Sequence, residues 1–139
     1  MRTVRYDDSY QHLVIDFACG NFIIDNFLKS SDALDVNQGI TYILLSDNED
    51  TIIGYYNLSA GRVDQIEEIN RLKRYIPMGG SININYLAIA KSYQRINITP
   101  NSSCNAYLGD YLLHDCEKRI VDLREVVGAS FITLYSTSE

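Results

Sequence analysis

Apolar and polar positions along this chain fall into segments of distinct period. Thr3 to Tyr6 is a short β-prone run and predicts an opening edge strand. In the segment that follows Asn21, Ile23, Ile24, Phe27 and Leu28 recur on one face of a 3.6-residue period, and Asn21 offers a side-chain oxygen to the first free amides. That segment predicts an amphipathic helix. Ile40 to Ser46 is dense in β-formers, Asp47-Asn48-Glu49-Asp50 supplies turn chemistry, and Thr51 to Ser59 reads as a second strand, so an antiparallel hairpin is expected. The charge-rich stretch from Asp64 to Tyr75 sets Ile66, Ile69 and Leu72 at helical spacing, which predicts a surface helix ending before Pro77 and Gly79-Gly80.

Asn83 to Ala90 is nearly continuous in apolar residues rather than alternating, the pattern of a central strand covered on both faces. Beyond the polar stretch from Asn97 to Asn105, the positions Tyr107, Leu108, Tyr111, Leu112, Ile120, Leu123 and Val127 mark a long helix. Its start is open between Thr99-Pro100, with threonine as cap and proline in the first turn, and a cap at Ser103. Gly128 fits the helix stop, and Phe131 to Tyr135 reads as a last strand. Strand, helix, hairpin, helix, strand, long helix and strand make an α/β domain with a mixed sheet.

Composition narrows this picture. With 139 residues, 46% of them hydrophobic and 22% charged, the chain suits one domain with a real core and is too apolar for intrinsic disorder. A net charge of −6 argues against a non-specific nucleic-acid binder. The charge is uneven: residues 1–70 carry 12 acidic and 4 basic side chains, and residues 71–139 carry 6 and 8. An acidic first half suits a cationic partner and a mildly basic second half an anionic one. Cys19, Cys104 and Cys116 show neither CxxC nor Cys/His spacing, so reduced thiols are expected, with no disulfide framework and no zinc site. The polar N-terminus does not read as a signal peptide, and no apolar run approaches the ~18 residues of a membrane span, so a cytoplasmic protein is expected. Without a secretory route, the glycosylation patterns at Asn57 and Asn101 carry no information.

Three motifs, in this order, resemble the Gcn5-related N-acetyltransferase (GNAT) superfamily. They are Cys19-Gly20-Asn21 leading into a helix, the hairpin strand Ile53-Gly54-Tyr55-Tyr56-Asn57-Leu58-Ser59-Ala60-Gly61, and Asn85-Tyr86-Leu87-Ala88-Ile89-Ala90-Lys91-Ser92-Tyr93-Gln94. The branch suggested includes bacterial toxin acetyltransferases paired with ribbon-helix-helix antitoxins, and the similarity runs from about Phe17 to the C-terminus. The resemblance implies one GNAT-like domain over residues 1–139, with a mixed, mostly antiparallel sheet flanked by helices and splayed central strands. It implies acetyl-CoA as co-substrate and direct attack by a primary amine on a small-molecule or macromolecular acceptor, without a metal. The pantetheine arm would pair with the strand through Leu87, Ala88 and Ile89. The pyrophosphate would rest on the turn and helix start drawn from Gln94, Arg95, Leu108 and Gly109, with Lys91 as a further cation.

The chain departs from that family at two points. The usual loop reads Gln/Arg-x-x-Gly-x-Gly/Ala, whereas Gln94 is followed by Arg95-Ile96-Asn97 and the first glycine is Gly109. Either Leu108-Gly109 opens the helix after an insertion, or the loop is rebuilt from Asn and Ser ahead of Thr99-Pro100; Asp110, which would repel a phosphate, counts against the first. The family's proton donor, a tyrosine in a helix after the last predicted strand, has no counterpart before Glu139, so the final helix and strand are expected to be missing. No catalytic residue is assigned. Tyr86, Tyr111 and Tyr135 each have a packing reading, and His12 and His114 a solvent-facing one. Under the toxin reading the acceptor is aminoacyl-tRNA, with Arg62, Arg71, Lys73 and Arg74 facing phosphates. The competing reading is a truncated, non-catalytic binding module whose open sheet edge invites homodimers.

Overall fold

The computed structural model describes residues 1–99 and 106–134. Five strands form one sheet in the order β1 (Arg2–Arg5), β2 (Ile40–Leu45), β3 (Ile52–Ile69), β4 (Leu72–Ile89) and β5 (Ala129–Leu134). All neighbours are antiparallel except β4 and β5, which are parallel and joined through the long helix α2 (Leu108–Val127), as a parallel crossover requires. The short helix α1 (Phe22–Lys29) and 3-10 segments at Asp8–Asp16, Ser31–Leu34 and Val36–Gln38 complete the N-terminal half. The mixed α+β architecture expected from the sequence is the one observed.

Two cores lie on opposite faces of the sheet. Tyr6, Phe17, Leu28, Ile43, Leu45, Ile52 and Tyr55 pack on the α1 side, and Leu44, Ile53, Tyr56, Ile82, Ile84, Leu112, Cys116 and Ile120 on the α2 side. This double coverage explains the near-continuous apolar runs in β2 and β3. Asn21 caps α1 through Oδ1, which accepts from the amides of Ile23 (3.0 Å) and Ile24 (3.3 Å), and Gly128 ends α2 in the left-handed region at φ 66°.

The stretch from Asp64 to Tyr75 is not the expected surface helix. It is the end of β3, a two-residue turn and the start of β4, so that β3 and β4 form one long ribbon paired from Gly54↔Ile89 out to Ile69↔Leu72. Asn70 and Arg71 both take positive φ, 52° and 68°, as the tightest hairpin turns demand. Ile66, Ile69 and Leu72 satisfy a helical period, but in the ribbon Ile66 faces Tyr75 across the strands and Ile69 faces Leu72. Pro77 pairs with Asp64 beside the register shift at Val63/Asp64 and ahead of Gly80, where β5 begins pairing, so it sits at an irregular stretch of β4 with β3 as its one neighbour among the described residues.

Helix α2 starts at Leu108, not at Thr99-Pro100. Thr99 Oγ1 instead accepts from the amide of Ala106 (3.0 Å), and the amide of Ile98 donates to the Ala106 carbonyl (2.7 Å), which sets Ile98 and Thr99 against Ala106 beside an Asn97↔Tyr107 bridge. Pro100, Ser103, Cys104 and Tyr135 lie outside the described residues. No helix among the described residues is long and apolar enough to cross a membrane.

Candidate active site

Strand β4 changes neighbours along its length, and the site follows from that change. It pairs with β5 only from Gly80 to Ile84, while its pairing with β3 continues to Ile89. From Asn85 onward, the edge that faced β5 has no strand beside it among the described residues, and the Gln94 side chain reaches it at the Ile89 carbonyl. Asn85 sits at this fork. Register passes from Leu58↔Ile84 to Asn57↔Tyr86, so Asn85 is an extra residue that reverses the alternation of β4. Ile82 and Ile84 face α2 before it; Leu87 and Ile89 face α2 after it, with Tyr86 and Ala88 on the α1 side.

Helix α2 begins against the open edge. A Cβ built on Gly109 would lie 3.9 Å from Ile89 Cγ1 and meet nothing else within 4 Å. The first intrahelical bonds run from the Asp110 and Tyr111 amides to the Tyr107 carbonyl, which leaves the Leu108 and Gly109 amides ahead of the ladder. The Asp110 carboxylate, expected to repel a phosphate and so to disfavour this helix start, turns back and accepts from the Tyr107 amide at 2.8 Å. A 20-residue helix therefore points its N-terminus toward the end of β4.

The sequence-predicted residues divide around this geometry. Leu87, Ala88 and Ile89 form the open edge, with Ala88 and Ile89 buried, and Leu108 and Gly109 open the helix. Arg95, in the left-handed region at φ 63°, and Lys91 are exposed just beyond β4. Gln94 is engaged elsewhere: its Nε2 donates to the Cys19 carbonyl (2.8 Å) and the Ile89 carbonyl (2.9 Å), tying the turn before α1 to the end of β4. His12, His114 and Tyr111 are exposed, and Tyr86 is a packing wall stacked on Phe27 with ring centroids 4.1 Å apart. Arg62 is paired with Asp64 at 3.1 Å, while Arg71, Lys73 and Arg74 stand exposed near the tip of the ribbon.

On the α1 side of the same fork lies a cleft of about 420 Å³, lined by Phe27, Asp32, Asn37, Ser59, Asn85 and Tyr86 among others. Its floor is a hydrogen-bonded ladder. Asn57, fully buried, donates through Nδ2 to Thr41 Oγ1 (3.0 Å), and Asn85 Nδ2 donates to Asn57 Oδ1 (2.7 Å) and Ser59 Oγ (2.8 Å). Sequence reasoning passed over this group, although asparagines inside otherwise apolar strands are its visible signal, because a buried amide persists only when paired. It also passed over a cluster beneath α2, where the Tyr56 hydroxyl donates to Asp115 Oδ2 (2.7 Å) and accepts from Arg119 Nε (2.8 Å). Burial raises the Tyr56 phenol well above its usual range, so it stays a donor. The Cys19 thiol is pushed up to about 11, chiefly by burial and then by Asp25, and burial carries Cys116 to about 12.

No family model matches the sequence. Comparison of the whole chain with known proteins finds a probable toxin TacT of Sinorhizobium fredii (strain NBRC 101917 / NGR234), 28% identical over 135 residues that cover 96% of this chain and 71% of the relative. Three solved structures share the architecture over 99% of the chain: AtaTR bound with AcCoA (TM-score 0.76, 18% identity, 78% of that chain), the AtaT Y144F mutant toxin bound to the C-terminus of the antitoxin AtaR (0.70, 20%, 76%), and AtaT complexed with acetyl-methionyl-tRNAfMet (0.69, 17%, 79%). The chain has the GNAT-like fold of these structures. In it, the fork between β4 and β5 is the splay that the sequence resemblance implied, and the open edge, the α2 N-terminus and the polar cleft surround one strand end.

Proposed function

We propose that this chain is an acetyl-CoA-dependent N-acetyltransferase that acts on a primary amine, and that its acceptor is the aminoacyl end of a charged tRNA. The observation that carries the reading is the open edge of β4 at residues 85–89, which runs into the N-terminus of α2 on one side and borders a polar cleft on the other. The residues suit acetyl-CoA. An extended amide-bearing arm finds the edge of β4 along Leu87, Ala88 and Ile89 with no strand beside it, its Ile89 carbonyl held by Gln94, and an anion finds the Leu108 and Gly109 amides with Arg95 and Lys91 nearby. Gln94 holds the strand end in place through its two carbonyl contacts rather than reaching an anion. When bound, the co-substrate supplies the activated acyl group.

The chain's own part is to orient and to collect charge. Asp32 at the cleft draws in the ammonium form of the acceptor, which loses a proton to water at the open mouth. The amine lone pair then forms a bond to the thioester carbonyl carbon, the C–S electron pair leaves with sulfur, and solvent protonates the thiolate. One further proton leaves nitrogen, so ammonium and thioester become amide, thiol and one proton.

The aminoacyl-tRNA acceptor and an antitoxin partner are supported by the 28% identical toxin relative and by the AtaT complexes with acetyl-methionyl-tRNAfMet and with the antitoxin C-terminus. A ribbon-helix-helix antitoxin and a homodimer built on the sheet edge complete the proposal, with residues 1–139 acting as one domain in the cytoplasm. Calorimetry with acetyl-CoA and CoA tests the first step; absence of heat at high protein concentration overturns it. Growth arrest on expression, relieved by an adjacent small partner gene, is the expected cellular outcome, and growth without arrest removes the toxin reading.

A further inference from the structure

The polar ladder under the cleft is more ordered than packing requires. Its members come from three strands, Thr41 of β2, Asn57 and Ser59 of β3, and Asn85 of β4: Asn85 donates to Asn57 and to Ser59, and Asn57 donates in turn to Thr41. Thr41 and Asn57 are almost wholly buried, at 2% and 0% exposure, so neither exchanges partners with water. Because Asn57 spends its Nδ2 on Thr41, its Oδ1 is the atom presented to β4. Asn85 must meet that oxygen with its own Nδ2, and the same nitrogen also reaches Ser59 Oγ. Both amide hydrogens of Asn85 are thereby used within the sheet. Asn85 Oδ1 has no donor among the described residues, and Asn85 lines the cleft at the fork where the open edge begins.

A carbonyl oxygen held in this way is an acceptor waiting for an N–H. We propose that Asn85 is a catalytic residue of the acyl transfer: its Oδ1 accepts a hydrogen bond from the attacking amine and aims the nitrogen lone pair toward the open edge of β4, while Thr41, Asn57 and Ser59 are positioning residues that keep the amide from flipping. The proposal rests on the transferase reading above and adds to it the group that holds the nucleophile. It follows that the cleft prefers an amine next to a carbonyl or ester, which Asn37 and Ser59 are placed to receive, over a simple alkylamine. Ordinary alternation from Ile82 and Ile84 already puts Asn85 on the α1 side, and the bulge adds Tyr86 to that same side, so that its ring stands beside the amide as a wall of the cleft.

The test compares wild type with Asn85→Ala and Thr41→Val, using acetyl-CoA with Met-tRNA and with a bulk pool of aminoacylated tRNA. Expected for Asn85→Ala is a fall of about 100- to 1,000-fold in kcat/KM for the acceptor, the range for removal of one oriented polar contact at a reacting centre, with Kd for CoA within twofold of wild type. Thr41→Val, remote from the cleft and nearly isosteric, is expected to lower the same constant by about 3- to 10-fold with CoA affinity unchanged, an effect that a purely structural hydroxyl would not produce. An activity-independent reading uses glycine methyl ester: on titration, the side-chain amide NMR signals of Asn85 and Asn57 shift in wild type. In Asn85→Ala, the Asn57 signal stays still. Acceptor kinetics of Asn85→Ala within twofold of wild type, or an equal loss of CoA affinity, overturns the proposal while leaving the transferase reading intact. No transfer by wild type to either acceptor, with no shift by the ester, overturns both.

Discussion

Substituting Gly54 by alanine probes the link between packing and the candidate site most directly. Gly54 lies in β3 between Leu44 of β2 and Ile89 of β4, and its side-chain position faces α2. A Cβ there would come within 2.6 Å of the Ala88 carbonyl oxygen, 2.8 Å of Ile89 Cδ1 and 3.2 Å of Leu112 Cδ2. The isoleucine and leucine ends can turn away, but the carbonyl belongs to the β4 ladder. Restoring ordinary contact at about 3.4 Å requires β4 to move by roughly 0.8 Å relative to β3, against bonds such as Ala90 N–H to the Ile53 carbonyl at 2.7 Å. Overpacking of a tight core costs ~1–3 kcal/mol, and an obstructing backbone atom places this site near the top of that range. For a domain of this size that is a fall of roughly 10 °C in Tm. Because Ala88 and Ile89 also form the open edge, the same displacement is expected to weaken acetyl-CoA binding at least tenfold by calorimetry. Chemical denaturation gives the stability term independently. A Gly54→Ala protein with wild-type Tm and wild-type CoA affinity would refute the reasoning that β3 and β4 are locked at this contact.

Other perturbations follow from the same coordinates. Asn21→Ala removes the acceptor for the Ile23 and Ile24 amides and is expected to cost about 1 kcal/mol, read by urea denaturation, whereas Asn21→Ser recovers most of it. Gly109→Ala makes one ordinary contact, with Ile89 Cγ1 at 3.9 Å, in the first turn of α2 and is expected to leave stability unchanged or raise it by up to ~1 kcal/mol in the same denaturation assay. For Cys19 and Cys116, thiol pKa values raised to about 11 and about 12 keep both sulfurs protonated at neutral pH. In a Cys104→Ser background, alkylation by iodoacetamide at pH 8 is expected to be far slower in the native than in the urea-unfolded protein. The sign for stability follows: a folded pKa above the unfolded ~8.5 contributes fully below pH 8.5, and that contribution is lost as pH rises toward 11–12. Native alkylation as fast as unfolded would contradict the assigned burial.

Local chemistry made much of the fold legible before the structure. The cap at Asn21, the hairpin turn after Ser46 and the glycine stop at Gly128 each act within a few residues, and each element stands where its own sequence places it. The start of α2 was not decidable locally. Thr99-Pro100 and Leu108 both carry start signals, and the choice is made by tertiary contact, because Leu108 and Leu112 bury against β3 and β4 while Thr99 closes the loop on Ala106. The cleft was legible only as isolated polar letters. Nothing in the order of Thr41, Asn57, Ser59 and Asn85 says that three strands bring them into one hydrogen-bonded ladder, since that depends on register and on a one-residue bulge.

The mistaken helix at Asp64 to Tyr75 has the same root and a larger consequence. Ile66, Ile69 and Leu72 fit a 3.6-residue period by spacing alone, yet the turn at Asn70-Arg71 converts that spacing into the cross-strand neighbours Ile69 and Leu72. Read as a helix, the stretch would separate two strands and leave the charges of Arg71, Lys73 and Arg74 on an independent surface element. Read as a ribbon, it puts Arg71 in the turn and makes Lys73 and Arg74 part of β4, the strand that also carries the bulge and the open edge. Lys73 and Asn85 are twelve residues apart on β4, which at about 3.3 Å per residue puts the exposed cations at most roughly 40 Å along the strand from the cleft. That separation is comparable with a nucleic-acid stem of about 14 base pairs at ~2.8 Å each, so under the proposed function the ribbon acts as a ruler only for a long acceptor. Charge reversal of Lys73 and Arg74 to glutamate is therefore expected to raise KM for intact Met-tRNA severalfold and flatten its salt dependence, while leaving KM for glycine methyl ester unchanged. Equal effects on the two acceptors would detach the ribbon from acceptor binding and return its cations to the role of solvated surface charge.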